Sequence, residues 1–207
     1  MEYITVTHEA HDEFIEKRSR FIGHCKPVTT EEEALAFIAA LKSQYWDASH
    51  NVYAYVLREG NIQRFSDDGE PQGTAGIPLL ETMKKSGVTD CVLVATRYFG
   101  GILLGGGGLV RAYSHTGAIA LAAGERVLMR ACRQCTLTCD YSLYGRVQAV
   151  IPESGGVIDD TAFTDAVTLS FHLPPEELPA FSRRLADATN GAVALQELED
   201  AFYPFPL

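Results

Sequence analysis

The chain has no apolar run long enough to cross a membrane, because charges, glycines or polar residues interrupt every stretch before the roughly 18 consecutive apolar residues that a span requires. Its start, Met1-Glu2-Tyr3-Ile4-Thr5-Val6, lacks the basic opening and apolar core of a secretory signal. Cysteine is scarce. Its five copies are an odd number in a chain without an export signal, so a disulfide framework is not expected. Cys132, Cys135 and Cys139 come nearest to metal spacing, but a fourth ligand is missing and no histidines are paired nearby; burial in a strand and the turn after it explains them better. Neither Gly-x-Ser-x-Gly nor a cysteine with a fixed histidine partner occurs, which removes support for acyl transfer. The expectation is a cytoplasmic protein with reduced thiols and no membrane contact.

Cations are also in short supply: 17 Lys and Arg stand against 27 Asp and Glu, a net charge of −10. The deficit is uneven. Residues 1–130 carry 13 basic and 16 acidic side chains, whereas residues 131–207 carry 4 and 11. A protein that coats RNA generally would show a basic stripe, so any nucleic-acid contact is expected in residues 1–130 and to be sensitive to salt. With 46% hydrophobic residues in 207, the chain is globular, and its length allows one large or two small domains.

Glycine is concentrated where it is most informative. In Arg97-Tyr98-Phe99-Gly100-Gly101-Ile102-Leu103-Leu104-Gly105-Gly106-Gly107-Gly108-Leu109-Val110-Arg111, six glycines precede a helix-forming stretch from Leu109 to about Ala123. Bare amides at the mouth of a helix are unsatisfied donors, and the helix dipole adds partial positive charge there. The candidate anion site is therefore Arg97, Gly105, Gly106, Gly107, Gly108 and Arg111. Arg111, Ser114 and His115 fall at i, i+3 and i+4 and share a polar face, which adds His115. The alternative is that these glycines serve only positive φ and tight packing.

Upstream, Ser66-Asp67-Asp68-Gly69-Glu70-Pro71 packs three carboxylates into four positions of a turn. Asp67, Asp68 and Glu70 are candidate ligands for Mg²⁺ or candidate bases, or else a solvated acidic turn that caps nearby amides.

These segments together resemble the IMPACT family, whose bacterial members are the YigZ-like proteins. The resemblance runs through Lys17-Arg18-Ser19-Arg20-Phe21-Ile22, Asp47-Ala48-Ser49-His50-Asn51-Val52-Tyr53-Ala54-Tyr55, the acidic turn and the glycine blocks, and covers most of the first 125 residues. It departs at Leu103, where the family often has Lys, and at Gln72, where a small hydroxyl residue is usual. The resemblance implies an N-terminal domain of the ribosomal S5 domain 2-like fold. It also implies a role connected with translation or its regulation, without an established reaction.

Along the chain, residues 3–7 and 14–25 read as strands. Thr30 and Glu33 form a capping box before a helical stripe of Ala34, Ile38, Leu41 and Tyr45. Val52–Leu57 and Ile62–Phe65 read as a hairpin, Pro78 opens a helix, and Cys91–Ala95 is a strand covered on both faces that delivers Arg97 into the glycine loop. After Gly124 the pattern becomes strand 133–140, helix 144–153, strands 155–159 and 167–173, helix 174–188 and strand 192–198. That is the β-α-β-β-α-β order of a ferredoxin-like domain. The expected fold class is α+β, with an S5-like domain at 1–130 and a ferredoxin-like domain at 131–207, followed by an apolar, proline-broken tail at 202–207.

Three functions fit. The first is a non-catalytic, translation-associated binder that takes RNA phosphate at the glycine loop, with Tyr98, Phe99 and Tyr113 available to stack on bases. The second is a Mg²⁺-assisted enzyme acting on a phosphate compound. The third is a protein-only adaptor whose acidic C-terminal domain docks a basic partner. The absence of a complete catalytic set favours the first.

Overall fold

The computed structural model describes residues 2–207, and its contacts divide them into two units. One holds Tyr3–Leu128 with Phe205–Leu207; the other holds Met129–Pro204 with Glu2.

The first unit runs β1 (Glu2–Val6), β2 (Ala10–Glu16), β3 (Ser19–Pro27), α1 (Glu31–Gln44), β4 (His50–Leu57), β5 (Ile62–Ser66), α2 (Gly76–Lys85), β6 (Cys91–Tyr98) and α3 (Gly106–Ala123). Five strands form an antiparallel sheet in the order β2-β3-β6-β4-β5. β6 lies at its centre and is buried on both faces, which is why Cys91–Ala95 reads as an unbroken apolar run rather than an alternating one. Cys91, Leu93 and Ala95 join Leu79, Met83, Tyr113 and Leu121 beneath α2 and α3. Val92 and Val94 face the other way, onto Ala34, Phe37, Ile38 and Leu41 of α1. α1 begins at the expected capping box: Thr30 Oγ1 accepts from Glu33 N–H while the Glu33 carboxylate accepts from the Thr29 and Thr30 amides. Those amides hold the Glu33 carboxyl below the usual carboxylate range.

The strand expected over 14–25 is two strands. β2 and β3 form a hairpin in which Glu16 pairs with Ser19, leaving Lys17 and Arg18 as a two-residue turn with φ of 46° and 65°. Both turn residues are left-handed, as the turns favoured in tight hairpins require, and Asn-Gly is the usual solution. Lys-Arg gives no such signal.

The second unit runs β7 (Arg126–Cys139), α4 (Tyr141–Glu153), β8 (Val157–Phe163), β9 (Val167–Leu173), α5 (Leu178–Thr189) and β10 (Leu195–Phe205). β10 pairs with β7, β7 with β9 and β9 with β8, the ferredoxin-like arrangement. Val147, Ile151, Phe181 and Leu185 of the helices pack on Cys135, Leu137, Leu169 and Phe171. Thus the chain is α+β throughout. The apolar, proline-broken tail at 202–207 is, as far as Phe205, the end of β10, which carries Pro204; a strand tolerates proline where no ladder N–H is needed.

All five cysteines are buried and free. Burial pushes the thiols of Cys25 and Cys135 up to about 11, so neither is a ready thiolate near neutral pH. Among the described residues, no helix is long and apolar enough to cross a membrane.

Candidate anion-binding site

α3 begins inside the glycine run, at Gly106, three residues before the expected start at Leu109. Gly105 is its N-cap, at φ 73°, and supplies no side-chain cap; the first turn also carries no acidic residue. The Leu109 N–H reaches back to the Gly105 carbonyl, so the amides of Gly106, Gly107 and Gly108 are the first-turn donors that helix geometry leaves over.

Packing does not demand every one of these glycines. A Cβ on Gly106 would come no nearer than 3.9 Å to Thr74 Cγ2, and one on Gly107 no nearer than 3.6 Å to Arg111 Nη1, both ordinary contacts. Gly100 is the contrast. A Cβ there would overlap the backbone carbonyl of Arg18, so this glycine lets the loop after β6 pass beneath the β2–β3 turn.

That turn brings Lys17 to the start of α3. Lys17, Arg18 and Arg111 are exposed, and none makes an ion pair among the described residues. Lys17, Gly108, Arg111 and His115 line a hollow of about 250 Å³ together with Phe14 and Glu16. The Phe14 ring meets His115 edge-on at 4.6 Å between centroids.

Arg97 is placed differently from the expectation. It lies within β6 rather than in the loop and is only 5% exposed. Its Nη1 donates to Glu70 Oε1 at 2.6 Å and its Nη2 to Ser19 Oγ at 3.3 Å, while Nε is buried with no acceptor. Truncating it would leave the Glu70 carboxylate buried and uncompensated, typically at about 3–5 kcal/mol, so Arg97 is part of the framework. Glu70 Oε1 also accepts from the Tyr113 hydroxyl at 2.7 Å. Burial, with the Glu70 charge beside it, raises the Tyr113 phenol well above its ordinary range.

Glu70 Oε2 faces His50 Nε2 at 3.7 Å, and His50 Nδ1 lies 2.9 Å from the Asp68 carbonyl oxygen. His50 and Glu70 line a cleft of about 500 Å³ whose other walls include Phe99, Leu103, Gly105 and Gly106. The expected anion residues therefore divide. Arg97, Gly105 and Gly106 line the larger cleft; Gly108, Arg111 and His115 line the smaller hollow; Gly107 falls between them in the same turn; and Leu104 borders both. His50 is a site residue that residue-type reasoning missed. Its only signal was its place in a polar block just before an apolar strand.

The carboxylates also separate. Asp67 Oδ1 accepts from the Ala75 and Gly76 amides at 3.1 and 2.8 Å, and Oδ2 from Gly73 N–H at 2.8 Å. It thereby caps α2, whose own N-cap, Ala75, has no side chain able to do so. Asp68 accepts from Lys42 Nζ and the Asn51 amide, each at 2.6 Å. With Glu70 held by Arg97, the candidate Mg²⁺ ligands do not converge. Among the described residues no group of three His, Cys, Asp or Glu is arranged to hold a metal ion. Of the three aromatics expected to stack, Tyr113 is buried and Tyr98 donates its hydroxyl to Asp47; the Phe99 ring is 48% exposed.

Comparison with known proteins follows the same division. The model of the Impact N-terminal domain matches residues 17–121, and that of a domain of unknown function (DUF1949) matches residues 137–192. The chain is 40% identical over 201 residues to "IMPACT family member YvyE" of Bacillus subtilis (strain 168), covering 95% of this chain and 91% of that one. It is 35% identical over 189 residues to "IMPACT family member YigZ" of Escherichia coli (strain K12), covering 89% and 92%. With "Protein IMPACT" of Mus musculus it shares 36% identity over 94 residues, 44% of this chain and 30% of that protein. A solved structure titled "Crystal structure of an hypothetical protein" superposes with a TM-score of 0.60 at 33% identity, covering 96% of this chain and 98% of the other.

Proposed function

The chain belongs to the IMPACT family, and from that premise we propose that it is a non-catalytic, translation-associated regulator that binds RNA, taking backbone phosphate at the open first turn of α3. The observation that carries this reading is Gly106-Gly107. Glycine costs a helix up to about 1 kcal/mol per residue relative to alanine, yet a Cβ at either position would fit. Bare backbone that the fold itself does not need is suited to close approach from outside, and the positive end of a helix favours an anion. Lys17, Arg18 and Arg111 add fixed positive charge around it, and Phe99 offers a ring face for a base. The link to translation rests on family membership. A Mg²⁺-assisted reaction would need Asp67, Asp68 and Glu70 to share one ligand, and their separate partners withhold that support.

Fluorescence anisotropy with a labelled single-stranded RNA, repeated across salt concentrations, tests the reading. Arg111→Ala is expected to weaken binding several-fold at low salt and to flatten the slope of log K against log salt by about 0.7, the value for one phosphate contact on a single strand. Arg146→Ala with Arg183→Ala, two exposed cations of the second unit, should leave binding unchanged. If that pair matters and Arg111 does not, the adaptor reading through the acidic unit replaces this one.

A further inference from the structure

The floor of the larger cleft presents two acceptors where a donor belongs. A carbonyl oxygen only accepts, so the 2.9 Å contact between His50 Nδ1 and the Asp68 carbonyl fixes the ring proton on Nδ1. In the neutral imidazole, Nε2 is then a bare acceptor. It faces Glu70 Oε2 at 3.7 Å, too far for a direct hydrogen bond. The other oxygen of Glu70 is already engaged by Arg97 and Tyr113, so Oε2 is the one left to meet a ligand. Glu70 is nearly fully buried, so this acceptor pair is a built feature of the wall and not a chance surface arrangement. The same cleft is bounded by Gly105 and Gly106 and by the exposed Phe99 ring, and at about 500 Å³ it has room for a nucleotide.

The geometry points to a ribose reader: the 2′-hydroxyl of a nucleotide whose phosphate lies at the start of α3 donates into the gap between His50 Nε2 and Glu70 Oε2. This inference rests on the RNA-phosphate reading above and deepens it, since phosphate contacts alone do not distinguish RNA from DNA whereas a 2′-hydroxyl does. A 2′-hydroxyl brings one proton to this pair of acceptors and a deoxyribose brings none, which is how a site that hydrogen-bonds a hydroxyl rejects the analogue lacking it.

The test uses the full chain with three single strands of one sequence: RNA, DNA and 2′-O-methyl RNA, the last unable to donate. Wild type should bind RNA about tenfold more tightly than either of the others, the size expected when a buried acceptor is left without its hydrogen bond. His50→Ala should bring the RNA affinity down to the value wild type shows for DNA. Equal affinity of wild type for RNA and DNA overturns the ribose reader while leaving phosphate binding in place. So does 2′-O-methyl RNA behaving like RNA, or an RNA preference that survives in His50→Ala. Failure to bind any of the three strands removes the phosphate reading itself. The comparison of the three strands needs no variant, so it stands even if His50→Ala does not fold.

Discussion

His24 is a buried imidazole on β3 whose Nε2 finds no hydrogen-bond partner. Burial first, and then the neighbouring His11 ring at 5.5 Å, depress its pKa to about 4, with Glu9 acting weakly in the opposite direction and the Tyr45 ring lying 5.3 Å away. An unfolded histidine titrates near 6.5, so between that pH and about 4 the unfolded chain binds a proton that the folded chain refuses. Stability is therefore whole above about 6.5 and falls with pH down to about 4. At pH 5 the expected loss from this one residue is about 2 kcal/mol. Urea unfolding at pH 7 and pH 5 measures it, and His24→Phe should show a smaller drop between the two; an equal drop would assign the acid sensitivity to other groups. Asp67 shows where single residues resist reading from sequence. Its type and spacing made it equivalent to Asp68 and Glu70, but which amides, ammonium or guanidinium a carboxylate meets depends on chain segments brought together only by the fold. The three have three different partner sets.

Elements with strong local chemistry were legible. The Thr30–Glu33 capping box, the β4–β5 hairpin around Arg58-Glu59-Gly60-Asn61 and the apolar centre of β6 all lie where pattern put them, because capping groups, turn residues and unbroken burial act over a few residues. Two boundaries were hidden by residues that serve something other than local propensity. α3 starts on glycines, the poorest helix formers after proline, and the β2–β3 turn carries Lys17 and Arg18 where Asn-Gly would be easier. A non-glycine residue in the left-handed region costs roughly 1 kcal/mol. Replacing the turn by Lys17→Asn with Arg18→Gly should accordingly stabilise the protein, by about 1 kcal/mol in thermal unfolding, and at the same time weaken RNA binding several-fold. A variant that is stabilised and binds RNA as wild type does would show that the turn cations take no part.

Across the molecule, charge is distributed as RNA contact through the first unit would require. Residues 1–130 are close to balanced and residues 131–207 hold most of the net −10, so an RNA strand meets less repulsion near α3 than near the ferredoxin-like unit. That second unit was readable in order because its strands and helices alternate with clean apolar periods, and β10, β7, β9 and β8 pair as the β-α-β-β-α-β order implies. The division of the candidate anion site into two hollows was not readable, since it follows from Arg97 lying inside a strand and pairing with a residue 27 positions away. Gly106 and Gly107, where the fold leaves room for a Cβ, lie in the one helical turn between those hollows. The decisive measurement is a double substitution, Gly106→Ala with Gly107→Ala, followed by thermal unfolding and RNA anisotropy on the same preparation. Alanine should stabilise the helix by about 0.5–1 kcal/mol in total while the added methyl groups block the backbone, so stability should rise and RNA affinity should fall at least about tenfold. A stabilised variant that binds RNA unchanged would contradict phosphate recognition at the start of α3.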